Sequence, residues 1–457
     1  MSAQPVNGHP DGLPIPSLAT SALHADHPNA ATNPNYPVAP SISLSTTFRA
    51  PHPHSAEAQL LQDASAGRVE FDMQDPSVHV YSRYSQDTNI RVEKVLSKVM
   101  DAHALTYSSG LAAAYAALLH YAPSVVAIRR GYHGVHVVLS LYQRGRDVKI
   151  IDLDDDYTAL PASSASSSSI SDAGDAVSRG GLLVWVETPL NPTGEARDLE
   201  KYVARAKAVA NAHVIVDSTF APPPLQNPFH QGVDMVMHSG TKYFGGHSDL
   251  LCGVLAVQGK KEWDSLWRDR TYQGANLGSM EAYLLLRSLR TLTVRVAKQS
   301  DTATKLAGWL HSLTSAGGVG ETSSVGAGAV VARTYHSSLQ PRQDADEVSD
   351  KKGPPEDFSF DPSKQMPGGH APTFAFKTSK PEYAAMIPHL TSYFTPATSL
   401  GGVESLLEHR ITSDPTEDPR VVRVSVGLED FEDLKADLEA AFTKALLMEK
   451  NGQLIKK

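Results

Sequence analysis

The sequence predicts an α/β protein, a mainly parallel sheet sandwiched between helices and followed by a smaller C-terminal α/β domain. Two observations carry that expectation. From about residue 90 helical and strand patterns alternate, and the strands are short runs that are apolar on both faces. Strands without a polar face suit a sheet buried under two helical layers. Size permits it as well: 457 residues, 41% apolar and 20% charged, are enough for two or more domains with a large core.

In chain order, Val92, Val95, Leu96 and Val99 follow helical spacing, residues 111–120 read as an Ala/Leu-rich helix, and 125–128 as a buried strand. Further strands are expected at 148–153, 182–187, 213–217, 235–238 and 250–257, with a helix at 199–211. A long helix starting near Ser279 (Leu284, Leu285, Leu289, Leu292) leads into the smaller domain, which ends in an amphipathic helix from Phe431. The chain therefore divides into an N-terminal arm, 1–79, a large domain, 80–290, and a small domain, 291–457. Three stretches break the pattern. Residues 52–78 read as irregular, 161–179 as a serine-rich disordered insertion, and 339–369 as a second disordered insertion rich in Asp, Glu, Lys, Pro and Gly.

The formal charge of −9 and the lack of a basic run argue against nucleic acid or an anionic membrane as partner, since both need clustered Lys and Arg. A single cysteine, Cys252, cannot form an internal disulfide or a Cys-rich metal site, and reads as a small buried apolar residue in a reducing compartment. The first forty residues contain no Lys or Arg, unlike a secretory or transit segment, and no apolar run reaches membrane-spanning length. A cytoplasmic protein is expected.

In a parallel sheet of this kind, ligands belong at the carboxyl ends of the strands. Lys242 lies there, in His238-Ser239-Gly240-Thr241-Lys242-Tyr243-Phe244-Gly245-Gly246-His247, and upstream Asp217 closes another apolar strand. A lysine for an aldehyde and an aspartate for a pyridinium nitrogen are the two fixed points of a pyridoxal 5′-phosphate site. Ser109, Gly110 and Leu111 open the Ala-rich helix, whose positive end suits a phosphate, although Ser-Gly there also reads as a plain helix cap. Hydroxyls of Ser239 and Thr241 could converge on the same dianion. Tyr132, after the strand 125–128, could stack on a planar cofactor or be a partly buried structural tyrosine. The turn Glu187-Thr188-Pro189-Leu190-Asn191-Pro192-Thr193-Gly194 holds Asn191 over the same edge. Arg423, alternating within Val421-Val422-Arg423-Val424-Ser425-Val426, reads either as a site residue or as half of an internal ion pair. His133, His136, His238 and His247 lack ligand spacing with a third partner, so no metal is expected.

Together these segments, with Ser399-Leu400-Gly401-Gly402-Val403-Glu404-Ser405-Leu406, resemble the cystathionine γ-synthase, γ-lyase and β-lyase group of trans-sulfuration enzymes, which use pyridoxal phosphate on fold type I. The resemblance runs from about Ala39 to Asp430. It implies that Lys242 binds the cofactor's aldehyde and acts as the base at Cα, that Asp217 pairs with the ring nitrogen, and that Tyr132 stacks on the ring and shuttles a proton. It further implies that Ser109, Gly110, Leu111, Ser239 and Thr241 hold the phosphate, that Thr219 lies near the ring, and that Asn191, Ser399 and Arg423 receive the substrate's α-carboxylate. Tyr81 and Arg83 would reach the neighbouring subunit's phosphate, making a homodimer the minimal unit and a tetramer the expected assembly. Two departures bear on the substrate, a small amino acid: Thr398 stands where a Glu is usual, and Ser85-Gln86-Asp87-Thr88 replaces the usual Gly-Asn-Pro-Thr. The expected activity is γ-elimination or γ-replacement; a β-lyase, a γ-replacement enzyme with another nucleophile, and a silent cofactor-binding paralogue are the alternatives.

Overall fold

The computed structural model describes residues 16–27, 38–159, 180–314, 329–340 and 360–454. The serine-rich stretch 161–179 and residues 341–359 of the second expected insertion lie outside them. The first part of the chain runs α1 (Leu18–His24), α2 (Ala56–Ser65), α3 (Asp87–Met100), β1 (His103–Tyr107), α4 (Gly110–Tyr121), β2 (Val125–Ile128), α5 (His133–Tyr142), β3 (Lys149–Ile151), β4 (Leu182–Glu187), α6 (Leu199–Lys207), β5 (Ala212–Asp217), β6 (Met235–Ser239), β7 (Gly253–Val257), α7 (Lys260–Gln273), α8 (Ser279–Leu289) and α9 (Leu292–Ser312). There follow β8 (Val331–Tyr335), α10 (Pro362–Gln365), β9 (Thr373–Thr378), α11 (Pro381–Leu390), β10 (Thr395–Pro396), β11 (Leu406–His409), β12 (Val421–Ser425) and α12 (Phe431–Lys450).

The first seven strands form one sheet in the order β1-β7-β6-β5-β4-β2-β3. Strands β3, β2, β4, β5 and β6 are parallel, and β7 is antiparallel to both β6 and β1. Strand β4 shows why both faces had to be apolar. Leu182, Val184 and Val186 enter one helical layer, while Leu183 and Trp185 enter the other. The remaining strands form a second sheet, β10-β11-β12-β9-β8, whose Leu407, Val422 and Val424 pack into a separate core with α9, α11 and α12. Helix α9 joins the two cores: Leu292 and Val296 belong to the first, Ala303, Leu306, Ala307 and Leu310 to the second. Among the described residues no helix is long and apolar enough to cross a membrane.

Three differences from the sequence expectations have physical reasons. The stretch expected to be irregular at 52–78 contains α2, capped by Ser55 Oγ accepting from Ala58 N at 3.2 Å. Ala58 is its sole buried residue, so no apolar stripe advertises the helix. Strand β1 was unforeseen because His103 and Thr106 interrupt its apolar run. The end of the expected insertion at 339–369 is packed, not disordered: Gln365 Oε1 accepts from Leu199 N at 3.0 Å at the start of α6, and Gly368 N donates to Leu225 O at 3.2 Å. A buried glutamine tether leaves no hydrophobic period to read.

Glycine 253 sets how closely α4 approaches the sheet, since a Cβ there would lie 2.1 Å from Ser109 O and 2.8 Å from Ala113 Cβ. Main chain cannot swing aside as a flexible side chain can. The expected outcome for Gly253→Ala is a loss of about 1–3 kcal/mol in urea unfolding, the scale of overpacking. An unchanged midpoint would show that α4 is free to move.

Candidate active site

The register of β4 and β5 pairs Glu187 with Asp217 at the carboxyl edge of the sheet. Both carboxylates line a cavity of about 510 Å³ between the two sheets. Asp217 is fixed by Thr219, whose main-chain N and Oγ1 donate to its Oδ1 at 3.0 and 2.5 Å; Thr219 Oγ1 in turn accepts from Ser239 N at 2.9 Å on the end of β6. Glu187 clamps two loops, accepting from Tyr132 N at 2.7 Å and from Asn191 N at 2.8 Å. Burial pushes Asp217 above the usual carboxylate range, and burial together with the charge of Asp217 pushes Glu187 up as well. Neither makes an ion pair among the described residues. The cavity therefore has a wall of two carboxylates whose charged forms burial disfavours, an arrangement that a pyridinium nitrogen beside Asp217 would relieve.

At the other end, Ser109 caps α4, its Oγ accepting from Ala112 N at 3.1 Å. An added Cβ on Gly110 would lie 3.2 Å from Ser239 Cβ and Oγ, so the helix's positive end and the end of β6 meet at the cavity. Ser239 Oγ makes no hydrogen bond among the described residues. Thr241 also lines the cavity, but its hydroxyl is engaged by the main chain of Cys252, accepting from N at 2.9 Å and donating to O at 3.3 Å. The phosphate expected to use both hydroxyls thus finds Ser239 better placed. These groups fit pyridoxal phosphate at both ends.

Lys242 enters between the domains. Its Nζ donates to Ser399 Oγ at 2.8 Å, and burial, helped by the charge of Arg423, pulls its amine down to about 8. Ser399 sits at φ +84°, a left-handed conformation that is strained for a residue with a side chain. Arg423 Nη2 holds it there by donating to its carbonyl at 2.8 Å, and two residues on, Gly401 lets the segment approach the large domain, since a Cβ there would come within 2.8 Å of Tyr243 N. Tyr132 precedes α5 and borders the cavity; a Cβ on Gly134 would meet its Cε1 at 2.5 Å, so only glycine leaves room for this ring.

Arg423 both borders the cavity and takes part in an internal ion pair. It donates from Nη1 to Asn191 Oδ1 at 3.1 Å, and its buried ion-pair partner is Glu408. Burial lowers its guanidinium to about 10, so it stays charged at neutral pH. Thus Ser109, Gly110, Leu111, Tyr132, Asn191, Asp217, Thr219, Ser239, Thr241, Lys242, Ser399 and Arg423 come together around one cavity, joined by Thr398. Tyr81 and Arg83 do not. They border a separate cavity of about 310 Å³, where Arg83 Nη1 donates to Thr271 O at 3.1 Å.

Sequence reasoning missed Glu187, Glu408 and Arg410, all of which line the cavity, and weighed His133, another lining residue, only as a metal ligand. Glu187 stood in plain view at the end of a strand. Glu408 could be found only through the pairing of β11 with β12, which sets it opposite Arg423. Among the described residues no three His, Cys, Asp or Glu side chains are grouped to hold a metal.

Comparison with known proteins places the chain in a family. A family model described as Cys/Met metabolism PLP-dependent enzyme matches residues 19–321 and 352–443. The chain is 29% identical over 449 residues to cystathionine gamma-lyase of Saccharomyces cerevisiae, covering 94% of this chain and 98% of that protein. It is 31% identical over 444 residues to cystathionine gamma-synthase of Mycobacterium bovis, covering 93% and 97%. Its structure matches that of metB from Corynebacterium glutamicum with a TM-score of 0.73 at 25% identity, over 94% of this chain and 98% of the other. Yeast cystathionine gamma-lyase matches with a TM-score of 0.70 at 26% identity, over 94% and 98%. With a model match across most of its length, the chain belongs to the pyridoxal-phosphate-dependent enzymes of cysteine and methionine metabolism.

Proposed function

We propose that the chain is a trans-sulfuration enzyme of the cystathionine γ-synthase/γ-lyase type, performing γ-elimination or γ-replacement on cystathionine or an O-acylhomoserine. The observation that carries this reading is Lys242, a desolvated amine 2.8 Å from Ser399 Oγ, sharing its cavity with the unpaired Asp217 and the start of α4. The γ-lyase and γ-synthase relatives support it, each matching more than nine-tenths of the chain.

Bound in this cavity, pyridoxal phosphate supplies an electron sink for the substrate's α carbon. Lys242 would carry the cofactor's aldehyde and, once displaced by the substrate amine, would take the Cα proton on Nζ; an amine near 8 is matched to neutral operating pH. Asp217, oriented by Thr219, would keep the ring nitrogen protonated. Ser239, with Ser109, Gly110 and Leu111 at the start of α4, would hold the phosphate, and Thr241 would steady the loop through Cys252. Tyr132 would lie over the ring and hand a proton from Oη to the departing sulfur or oxygen. Arg423, Asn191 and Ser399 would receive the α-carboxylate. Thr398 stands where the resemblance expects a carboxylate to receive a charged distal amine.

The separate placement of Tyr81 and Arg83 supports a homodimer as the minimal active unit, each pair completing the neighbouring copy's phosphate site, with a tetramer as the full assembly. We further propose a cytoplasmic location, to which a chain with a single cysteine, Cys252, is suited.

Three outcomes are expected. Purified protein given L-cystathionine, or O-acetyl-L-homoserine or O-succinyl-L-homoserine with and without L-cysteine, releases a four-carbon keto acid by γ-elimination or, where the thiol displaces the acyloxy group, cystathionine and the free acid; homocysteine with pyruvate would instead make it a β-lyase, and no turnover under any of these conditions would remove the proposal. Cofactor uptake by the apoenzyme, followed by absorbance, accelerates as pH rises through about 8 and then levels off, because the neutral amine is the nucleophile and burial has lowered it; a rise continuing towards 10 would show an ordinary solvated lysine. Lys242→Ala and Arg83→Ala are each inactive alone, whereas mixed dimers recover about a quarter of wild-type activity, since half the dimers are mixed and each has one intact site. No recovery would refute shared sites.

A further inference from the structure

The outer wall of the cavity contains an ion triad that the cofactor chemistry does not use. Alternation along β12 turns Val422 and Val424 into the small-domain core and leaves Arg423 on the opposite face. Strand β11 does the same with Leu407 and Glu408, and the antiparallel register sets Glu408 against Arg423. Glu408 Oε2 pairs with Arg423 Nη2. Its Oε1 accepts from Arg410 Nη1 at 3.1 Å and from the Ser413 hydroxyl. The three side chains are only 4–6% exposed, and all three border the cavity.

A carboxylate shared by two buried guanidinia is divided between them. The more tightly Arg410 holds Glu408, the less Glu408 satisfies Arg423, and the more of Arg423's charge remains for an incoming anion. Arg423 Nη2 is already committed to Ser399 O at 2.8 Å as well as to Glu408, and Nη1 to Asn191 Oδ1 at 3.1 Å. A substrate carboxylate arriving at this guanidinium must therefore compete with Glu408. Arg410 Nη1 also donates to Ser413 Oγ at 2.9 Å, but Asp414, 3.9 Å from Arg410 Nη2, is too far for a hydrogen bond, so Glu408 is the carboxylate that Arg410 holds directly.

We infer that Glu408 is a resident competitor for Arg423, restrained by Arg410, and that these two positioning residues set the affinity of the site for the substrate's α-carboxylate. The inference rests on the reading that Arg423 receives that carboxylate. It predicts effects of opposite sign from two neighbouring residues. Neutralising the competitor strengthens carboxylate binding, whereas removing its restraint weakens it. A purely structural pair would weaken binding in both cases.

The test titrates the holoenzyme with glycine, which has the amine and carboxylate but no leaving group, and with ethylamine, which lacks the carboxylate, following the absorbance of the bound cofactor. The ratio of the two dissociation constants isolates the carboxylate, because any effect on Lys242 enters both. Relative to wild type, Glu408→Gln is expected to raise the preference for glycine about tenfold, Arg410→Met to lower it about tenfold, and the double variant to return towards wild type. A fall in both single variants, or no change in either, overturns the inference while leaving the proposed function intact. A wild-type protein that responds to both amines equally refutes carboxylate recognition at Arg423, and the inference with it. If the absorbance responds to neither amine, the reading of Lys242 itself fails.

Discussion

The constraint on which this site depends is the side-by-side burial of Glu187 and Asp217 at the ends of adjacent parallel strands. Like charges in a desolvated pocket resist joint ionisation, and among the described residues no cationic side chain forms an ion pair with either. A folded chain tolerates such an arrangement when other contacts over-determine it, and this one supplies them: Thr219 holds Asp217 while the main chains of Tyr132 and Asn191 hold Glu187. The same contacts position the residues expected to meet a ring and a substrate. Holding the carboxylates and aiming the loops are therefore one structural task, and a cationic ring nitrogen would relieve its cost.

The second sheet completes what the first cannot. Everything expected to hold the cofactor's ring and phosphate within one chain comes from the large domain, whereas Ser399 and Arg423 come from the small one. Their approach is set by Gly401, where any Cβ would strike the main chain of Tyr243, and by the left-handed backbone of Ser399. Helix α9, with its two ends in different cores, limits how far the domains can separate without exposing apolar surface. The hydrogen bond from Lys242 to Ser399 thus links the reactive amine to the domain that would recognise the substrate.

Much of this was legible in the sequence because buried parallel strands carry a continuous apolar signal. Strands β2 and β4 fall where Val125 to Ile128 and Leu182 to Glu187 predict them, and of the expected site residues Asp217 ends β5 while Lys242 lies three residues beyond β6. Strand β1 and helix α2 were not legible, since one is interrupted by polar residues and the other buries a single alanine. Nor could the sequence show that Thr241 spends its hydroxyl on Cys252, or that Gln365 ties a seemingly loose segment to the start of α6. Those facts depend on which distant backbone atoms meet, and periodicity does not encode them. Glu408 belongs to the same class: its place opposite Arg423 follows from strand register alone.

The ion triad and the lysine are electrically one system. Lys242 is lowered first by burial and then by the positive charge of Arg423, while Glu408 pushes it back up. Whatever changes the share of Glu408 held by Arg423 must therefore alter the basicity of Lys242 as well as the attraction for a carboxylate. When a substrate carboxylate settles on Arg423, its negative charge adds to that of Glu408 and favours the protonated lysine. Substrate binding would thereby prepare the displaced amine to keep a proton taken from the α carbon. Recognition at one end of the substrate and proton transfer at its centre would then share a single set of charges, held in place by the small-domain strand pairing.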